Sequence, residues 1–517
     1  MISIQNNSKF NKHFIGCSFL AAFVCMFIFF YFAHPIVILD ADDWQYVSYS
    51  RLPIPYTGYW NPSRILPEIL MNICGSTALL VYRAGLLGYI ESQILIFAIV
   101  VSLFIAFYVT ELIKFLKEKF CMAPWTACVC GAVFLAMHFI VFRKTAENNL
   151  YMFYSYDMCC YFYYTISALL NCTLVMYFWR TGVLNDFFSK NDIVQKIFIA
   201  IAIYFSVFSN LFNSIILVAY LGIYFLYSLI CSLKKKTVFS AFLKKQLAPI
   251  LIILLWLLAV YCDGNGGRAG NGWDSRNFLS DLLLDFNYLF LILKSFSYAF
   301  YTILALVILG FILVIATHSD SKDNQREFLS FIIYNIASAF IIILFLVLLC
   351  ARVNTGYFLR PQVMFGFIFS MFVILIGCIA YIVSYWKPAK YLLLPALLVM
   401  LILCNTKGVT YAYSNPMNLP EKVCISVDND LIDQMVNADK SGTEKTYIYV
   451  MDTGVDDNWP HTAFIGYALK QTLLKHGIIQ RNFGIIPEMS TEFNERNGIE
   501  VEFFWPRQFR AFYPTLF

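Results

Sequence analysis

Charge is what this sequence has least of. Asp, Glu, Lys and Arg make up only 13% of its 517 residues, about half of what an ordinary soluble domain carries. With 60% hydrophobic residues and a mean hydropathy of +0.68, the chain needs lipid as part of its solvent. That shortage excludes an ordinary soluble domain, and nucleic acid is not suggested as a partner. The net charge of +5 adds little, because in a membrane protein the placement of Lys and Arg carries the information rather than their sum.

Several chemical patterns are missing as well. Most of the 15 cysteines, including Cys17, Cys25, Cys128, Cys130, Cys172, Cys231, Cys350, Cys378 and Cys404, lie in apolar runs and behave as small hydrophobes. No disulfide framework is implied, and neither Cys128-x-Cys130 nor Cys159-Cys160 has a second half at zinc-ligand spacing. The Gly-rich stretch Asp263-Gly264-Asn265-Gly266-Gly267-Arg268 lacks the Lys-Ser/Thr of a phosphate-binding loop and follows no strand, which disfavours nucleotide sugars. No internal repeat is present.

What the sequence has instead is long apolar runs. Stretches of roughly 20 residues span the hydrocarbon core as helices. Such stretches fall at 14–36, 89–113, 123–142, 157–179, 195–209, 211–233, 247–262, 288–316, 328–350, 362–386 and 390–405. The run 195–233 is divided at Ser209-Asn210 because about 38 residues is too long for one span. The chain is therefore expected to be a polytopic α-helical membrane protein with about 11 transmembrane helices.

With the N-terminus inside, the inner segments hold 17 Lys and Arg, and the outer loops hold nine, nearly all Arg. This odd span count puts residues from about 406 onward outside. The first span reads as a signal anchor, since no small-residue cleavage site follows His34-Pro35. The outer segments contain no usable Asn-x-Ser/Thr acceptor, Asn6 being inside and Asn171 within a helix, which favours a bacterial plasma membrane. Residues 1–405 then form a membrane domain, and 406–517 a small extracytoplasmic α/β domain. Its expected elements are helices at 430–437 and 463–476 and a strand at 446–451.

The strongest chemical signal is Asp40-Ala41-Asp42-Asp43-Trp44-Gln45-Tyr46, where the first span leaves the bilayer. Like charges this close raise one another's pKa, and the apolar boundary adds desolvation, which suits one carboxylate for general-base work. A solvated helix end that keeps the anchor from sliding is the alternative reading. Other outer loops collect groups suited to an anionic, hydroxylated ligand: Trp60, Arg64 and Glu68, then Arg143, Lys144 and Glu147, then Arg268, then Arg352 and Arg360 around Tyr357. Arg makes fork-like contacts with phosphate oxygens. Snorkelling or ion pairing explains any one of them, but less readily all of them together. Lys294, in an apolar run, either snorkels or lines a cavity. In the C-terminal segment, Asp452 to His461 reads as a polar, aromatic loop able to touch a glycan or to serve as a connector.

Asp42-Asp43-x-x-Tyr46 in the first outer loop, after a single anchor and within an eleven-span chain, resembles the GT-C superfamily of integral membrane glycosyltransferases. Within it the chain is most similar to bacterial, GtrII-like enzymes that decorate O-antigen, lipid A or wall polymers. The resemblance implies an inverting transfer from a polyprenyl-phosphate-linked sugar to a cell-surface glycan or lipid acceptor. It implies Asp42 or Asp43 as the base, with Asp40 a third candidate, and an outer Arg on the leaving phosphate. The second acidic position some members carry is open between Glu147, Asp157 and neither. A divalent cation is also left open, with no ligand assigned. A transporter or flippase for lipid-linked glycans, or a polymerase or ligase, is the competing reading. A transporter, however, would show polar helices at midplane and two related halves.

Overall fold

The computed structural model describes residues 8–143, 149–155, 157–188, 192–235, 238–268, 278–317, 322–405, 411–415, 418–452 and 465–500. Its helices are α1 (Ser8–Ile28, prolonged by a π turn, Phe29–Ala33), α2 (Ala41–Ser48), α3 (Ile65–Arg83), α4 (Tyr89–Lys119), α5 (Pro124–Ile140), α6 (Met158–Thr181) and α7 (Ile193–Val207). There follow α8 (Leu211–Lys234), α9 (Phe239–Gly264), α10 (Phe278–Ser295), α11 (Tyr298–Thr317), α12 (Lys322–Val353), α13 (Phe365–Tyr385) and α14 (Ala389–Cys404). The C-terminal tail comprises α15 (Glu421–Ser441), β1 (Lys445–Met451), α16 (Lys470–Lys475, entered through a π turn, Ile465–Leu469), β2 (Gly484–Ser490) and α17 (Thr491–Asn497).

Among the described residues, nine helices are long and apolar enough to cross a membrane: α1, α3, α4, α6, α8, α9, α11, α12 and α13. Helices α5, α7 and α14 are apolar but shorter. The chain is a multi-pass helical membrane protein. The division expected at Ser209-Asn210 is present, with Asn210 capping α8 by accepting from the Phe212 N–H at 3.0 Å. The run 288–316, expected as one span, is two helices. Ser297 starts the second by accepting from the Phe300 N–H at 3.1 Å, and its own N–H donates to the Val141 carbonyl at 2.7 Å.

Helix α3 was not expected, because Gly58 to Glu68 reads as loop and Asn72, Gly75, Ser76 and Thr77 interrupt the apolar run that follows. Although long enough to cross, it has both ends on the side that carries the tail. Leu66 N–H donates to the Phe208 carbonyl past the end of α7 at 3.0 Å, and Arg83 donates to the His476 carbonyl in the tail at 2.9 Å. Midway, α2 lies directly on α3, where a Cβ added at Gly75 would stand 2.2 Å from the Val47 carbonyl oxygen. Gly75→Ala therefore has to push two backbones apart, at about 1–3 kcal/mol. A clear drop in the thermal midpoint of the purified protein is expected, and an unchanged midpoint would refute the close packing.

Helix α6 opens with a π turn at Tyr161–Ile166, one residue more than an α turn holds. Neighbouring side chains take two carbonyls in this widened turn. Asn210 donates to Tyr163 O and Asn213 to Tyr164 O, each at 3.0 Å. At the far end of α6, Arg180 pairs with Glu111 at 2.6 Å and Glu118 at 3.0 Å on α4. The helix is thus fixed against α8 at one end and α4 at the other.

In the tail, β1 and β2 pair in parallel from Lys445↔Gly484 to Met451↔Ser490. A parallel pair needs a crossover, and α16 lies in it. Helix α15 packs on the pair, the Gln434 amide bridging both the N–H and the carbonyl of Tyr449 at 2.8 and 3.0 Å. The three elements expected in this region are present, and β2 and α17 are additional. Beyond Asp452, the stretch to His461 lies outside the described residues.

Candidate active site

The three first-loop carboxylates have different surroundings. Asp40 is the N-cap of α2 and accepts from the Asp42 N–H at 2.9 Å, while Asp43 Oδ2 accepts from the Leu39 and Asp40 N–H groups, each at 3.2 Å. This is a reciprocal cap, with Asp where Glu or Gln is commoner. Asp43 Oδ1 accepts from the Cys159 N–H at 2.7 Å. Asp43 is thus wholly buried and takes three backbone donors from two loops. Asp42 differs: it is solvent-exposed, and among the described residues its carboxylate has no hydrogen-bond or ion-pair partner.

Electrostatics sharpen this separation. The protein packed around Asp42 desolvates it and raises its pKa above the ordinary 3.8, with Arg64 and Arg268 pulling it back. An accessible carboxylate that is nonetheless strongly desolvated lines a cleft rather than a flat surface. Asp43 is pushed well above the usual range by burial first, then by Asp157 and Asp40. Burial lifts Asp157 to about 6, with Asp42 adding to the rise and the Cys160 N–H and Arg360 opposing it.

A carboxyl raised in the folded state favours folding while protonated. The contribution of Asp157 is complete below about 3.8 and is lost as pH rises through about 6. Asp157→Asn should therefore flatten the fall in thermal midpoint between pH 4 and 6. An unchanged slope would show that the proton sits elsewhere.

The cations converge on the same cleft. Arg64 is 7% exposed, and its guanidinium lies 4.4 Å over the Tyr163 ring and 6.0 Å from Tyr164. Among the described residues it makes no ion pair and no side-chain hydrogen bond. Arg268 and Arg360 flank Tyr357 at 5.1 and 4.5 Å, and Arg268 also donates to the Tyr357 hydroxyl. Asp263, at the end of α9, holds the Ser63 N–H at 2.7 Å and its hydroxyl at 2.6 Å. The Gly-rich stretch is pinned as far as Arg268, with Gly267 N–H donating to Tyr59 O and Arg268 N–H to Trp60 O, both at 3.1 Å. A Cβ at Gly266 would meet Pro62 at 2.4 Å. Trp60 is 52% exposed on this seam.

Other expected site residues fall elsewhere. Glu68 is committed to Arg51 at 2.7 Å, and Tyr163 reaches its other oxygen at 3.4 Å. Tyr46 is buried edge-on to Tyr163 at 5.6 Å. Arg143 lies 4.5 Å over the Tyr411 ring, apart from the cleft. Arg352 is half-buried in the last turn of α12, and Lys294 is exposed near the end of α10. Lys144 and Glu147 lie outside the described residues. Of the two open candidates for the second acidic position, Asp157 stands beside Asp42 and Asp43. Sequence reading missed Arg51, Ser63, Asp263, Tyr163 and Tyr164 as site residues. Only the Tyr163-Tyr164 pair, following Asp157 on an aromatic helix start, gave a usable signal.

Asp43, Asp157 and Cys159 each offer one ligand atom within 4.8 Å of the others. Asp43 Oδ2 already accepts two N–H groups, while Asp43 Oδ1 and Asp157 Oδ1 accept one each and keep a lone pair, so these bonds crowd the trio without closing it to a cation. The trio is a hydrogen-bonded brace between the first loop and the start of α6. No protein-family model matches the chain, and no curated protein or solved structure matches it either.

Proposed function

We propose that this chain is an integral membrane glycosyltransferase of the GT-C type, moving a sugar from a polyprenyl-phosphate donor to a surface glycan or lipid acceptor. The observation that carries the reading is the juxtaposition of Asp42, an open carboxylate, with Arg64, a buried guanidinium that makes no ion pair among the described residues. A buried cation left unpaired by the protein is costly unless an anionic ligand completes it. Asp42 takes the proton of the acceptor hydroxyl, and that oxygen attacks the anomeric carbon as its bond to the phosphate oxygen breaks, with inversion. Arg64, Arg268 and Arg360 offset the charge gathering on the departing polyprenyl phosphate.

The topology agrees with the chemistry. Counting α1, α4 to α9 and α11 to α14 as crossings gives eleven, with α3 and α10 on the tail side. Lys114, Lys117, Lys119, Lys234, Lys235, Lys244 and Lys245 then gather at the opposite, cytoplasmic end. The cleft faces outward at the plasma membrane, where a lipid-linked donor enters sideways from the bilayer.

The test is a proteoliposome assay with radiolabelled polyprenyl-phosphate hexoses and envelope glycolipid as acceptor. Sugar transfer with matching release of polyprenyl phosphate is expected. Donor that crosses the bilayer intact, with no polyprenyl phosphate released, would make the protein a transporter and overturn the reading.

A further inference from the structure

The tail grips the helix that carries Asp42. Thr472, fully buried on α16, donates its hydroxyl hydrogen to the Trp44 carbonyl and lies 2.7 Å from the Ser48 hydroxyl. With one hydrogen to give, Thr472 donates to Trp44 and accepts from Ser48. Four residues on, His476 Nδ1 is 2.8 Å from the Tyr89 hydroxyl at the start of α4, and the His476 carbonyl accepts from Arg83 at the end of α3. Tyr89 stacks on Trp44 with planes 5° apart. One short stretch of the tail thus ties together α2, α3 and α4.

Helix α2 has only eight residues, too few to hold its shape by propensity alone. Its first turn is fixed from the membrane side through Asp43 and Cys159, and its last turn from the tail through Thr472. Asp42 lies one residue before Asp43 and two before Trp44, and among the described residues its carboxylate has no bond of its own to hold it.

Resting on the reading of Asp42 as the base, we infer that Thr472 is a positioning residue for that base, through its hydroxyl bridge to Trp44 and Ser48. The tail is then part of the catalytic unit. It sets the angle of the Asp42 carboxylate without touching substrate.

The experiment uses the full-length protein in detergent and in proteoliposomes. Dicyclohexylcarbodiimide, which couples to accessible carboxyls in apolar surroundings, is followed at Asp42 by peptide mass spectrometry alongside the transfer assay. Thr472→Val should change the Asp42 labelling rate about fivefold and lower kcat about tenfold with KM held within about twofold, while Thr472→Ser restores both. Wild-type labelling and kcat in Thr472→Val would overturn the inference. So would Thr472→Ser behaving like Thr472→Val, since bulk and not the hydroxyl would then matter. If Thr472→Val does not accumulate, Ser48→Ala removes the outer half of the bridge and should give a smaller change of the same kind. Wild-type labelling and kcat in Ser48→Ala would overturn the inference equally. Transfer that survives Asp42→Asn removes the base while leaving the labelling result standing, so the two failures are distinguishable.

Discussion

Asp42→Asn should lower sugar transfer by about 10³-fold, within the range a positioned general base supplies. The amide keeps the shape of the side chain and cannot take the proton. Asp42 caps nothing and pairs with nothing among the described residues, so the variant should fold and melt like the parent. Asp43→Asn should do the reverse. An amide presents one acceptor oxygen where three backbone N–H groups now converge, and its NH2 group meets a donor. That variant should show a lowered thermal midpoint, with transfer lost in proportion to folded protein. Rate against pH gives a second check. Because burial outweighs Arg64 and Arg268 in setting the Asp42 pKa, transfer should rise with pH through a midpoint above the ordinary 3.8. Asp42→Asn protein within tenfold of the parent rate would refute the assignment.

The second large effect concerns stability. Arg51 and Glu68 form an ion pair at 2.7 Å with side chains 0% and 5% exposed, and Arg51 also donates to the Asn61 and Pro62 carbonyls at 3.2 Å and lies 4.2 Å over Tyr59. Removing one partner strands the other charge in a dry place, at about 3–5 kcal/mol. Arg51→Leu and Glu68→Leu should each melt far below the parent, and the double variant should lose less than the sum. Strict additivity in that cycle, read from thermal or denaturant unfolding, would refute the pairing. The clamp also closes the loop that presents Ser63 and Arg64. The single variants should therefore weaken donor binding even where folded protein can be recovered.

The membrane part was largely legible in the sequence, because lipid imposes one rule on every span. The elements that escaped are those the rule does not cover. Helix α3 is apolar but lies along the tail side, interrupted by Asn72, Gly75, Ser76 and Thr77, so it reads as neither loop nor span. The break at Ser297 is a single capping serine inside an apolar run. The convergence of Arg64, Arg268 and Arg360 could be suspected from their position in loops on one side, but their shared use of Tyr163, Tyr164 and Tyr357 could not. The division of labour among Asp40, Asp42 and Asp43 was beyond reach, because it depends on the Cys159 N–H, 116 residues along the chain from Asp43.

The widened turn of α6 carries a consequence for how the chain can vary. A π turn holds one residue more than an α turn in about the same rotation, so deleting one residue between Tyr161 and Ile166 would let it close to ordinary α geometry with the helix on either side kept nearly in phase. Asp157 and the Cys159 N–H would stay near Asp43, while the Tyr163 and Tyr164 carbonyls would be taken back into the helix ladder and lose their bonds to Asn210 and Asn213. The surplus residue thus opens two carbonyls to Asn210 and Asn213 without changing which way the two ends of α6 face.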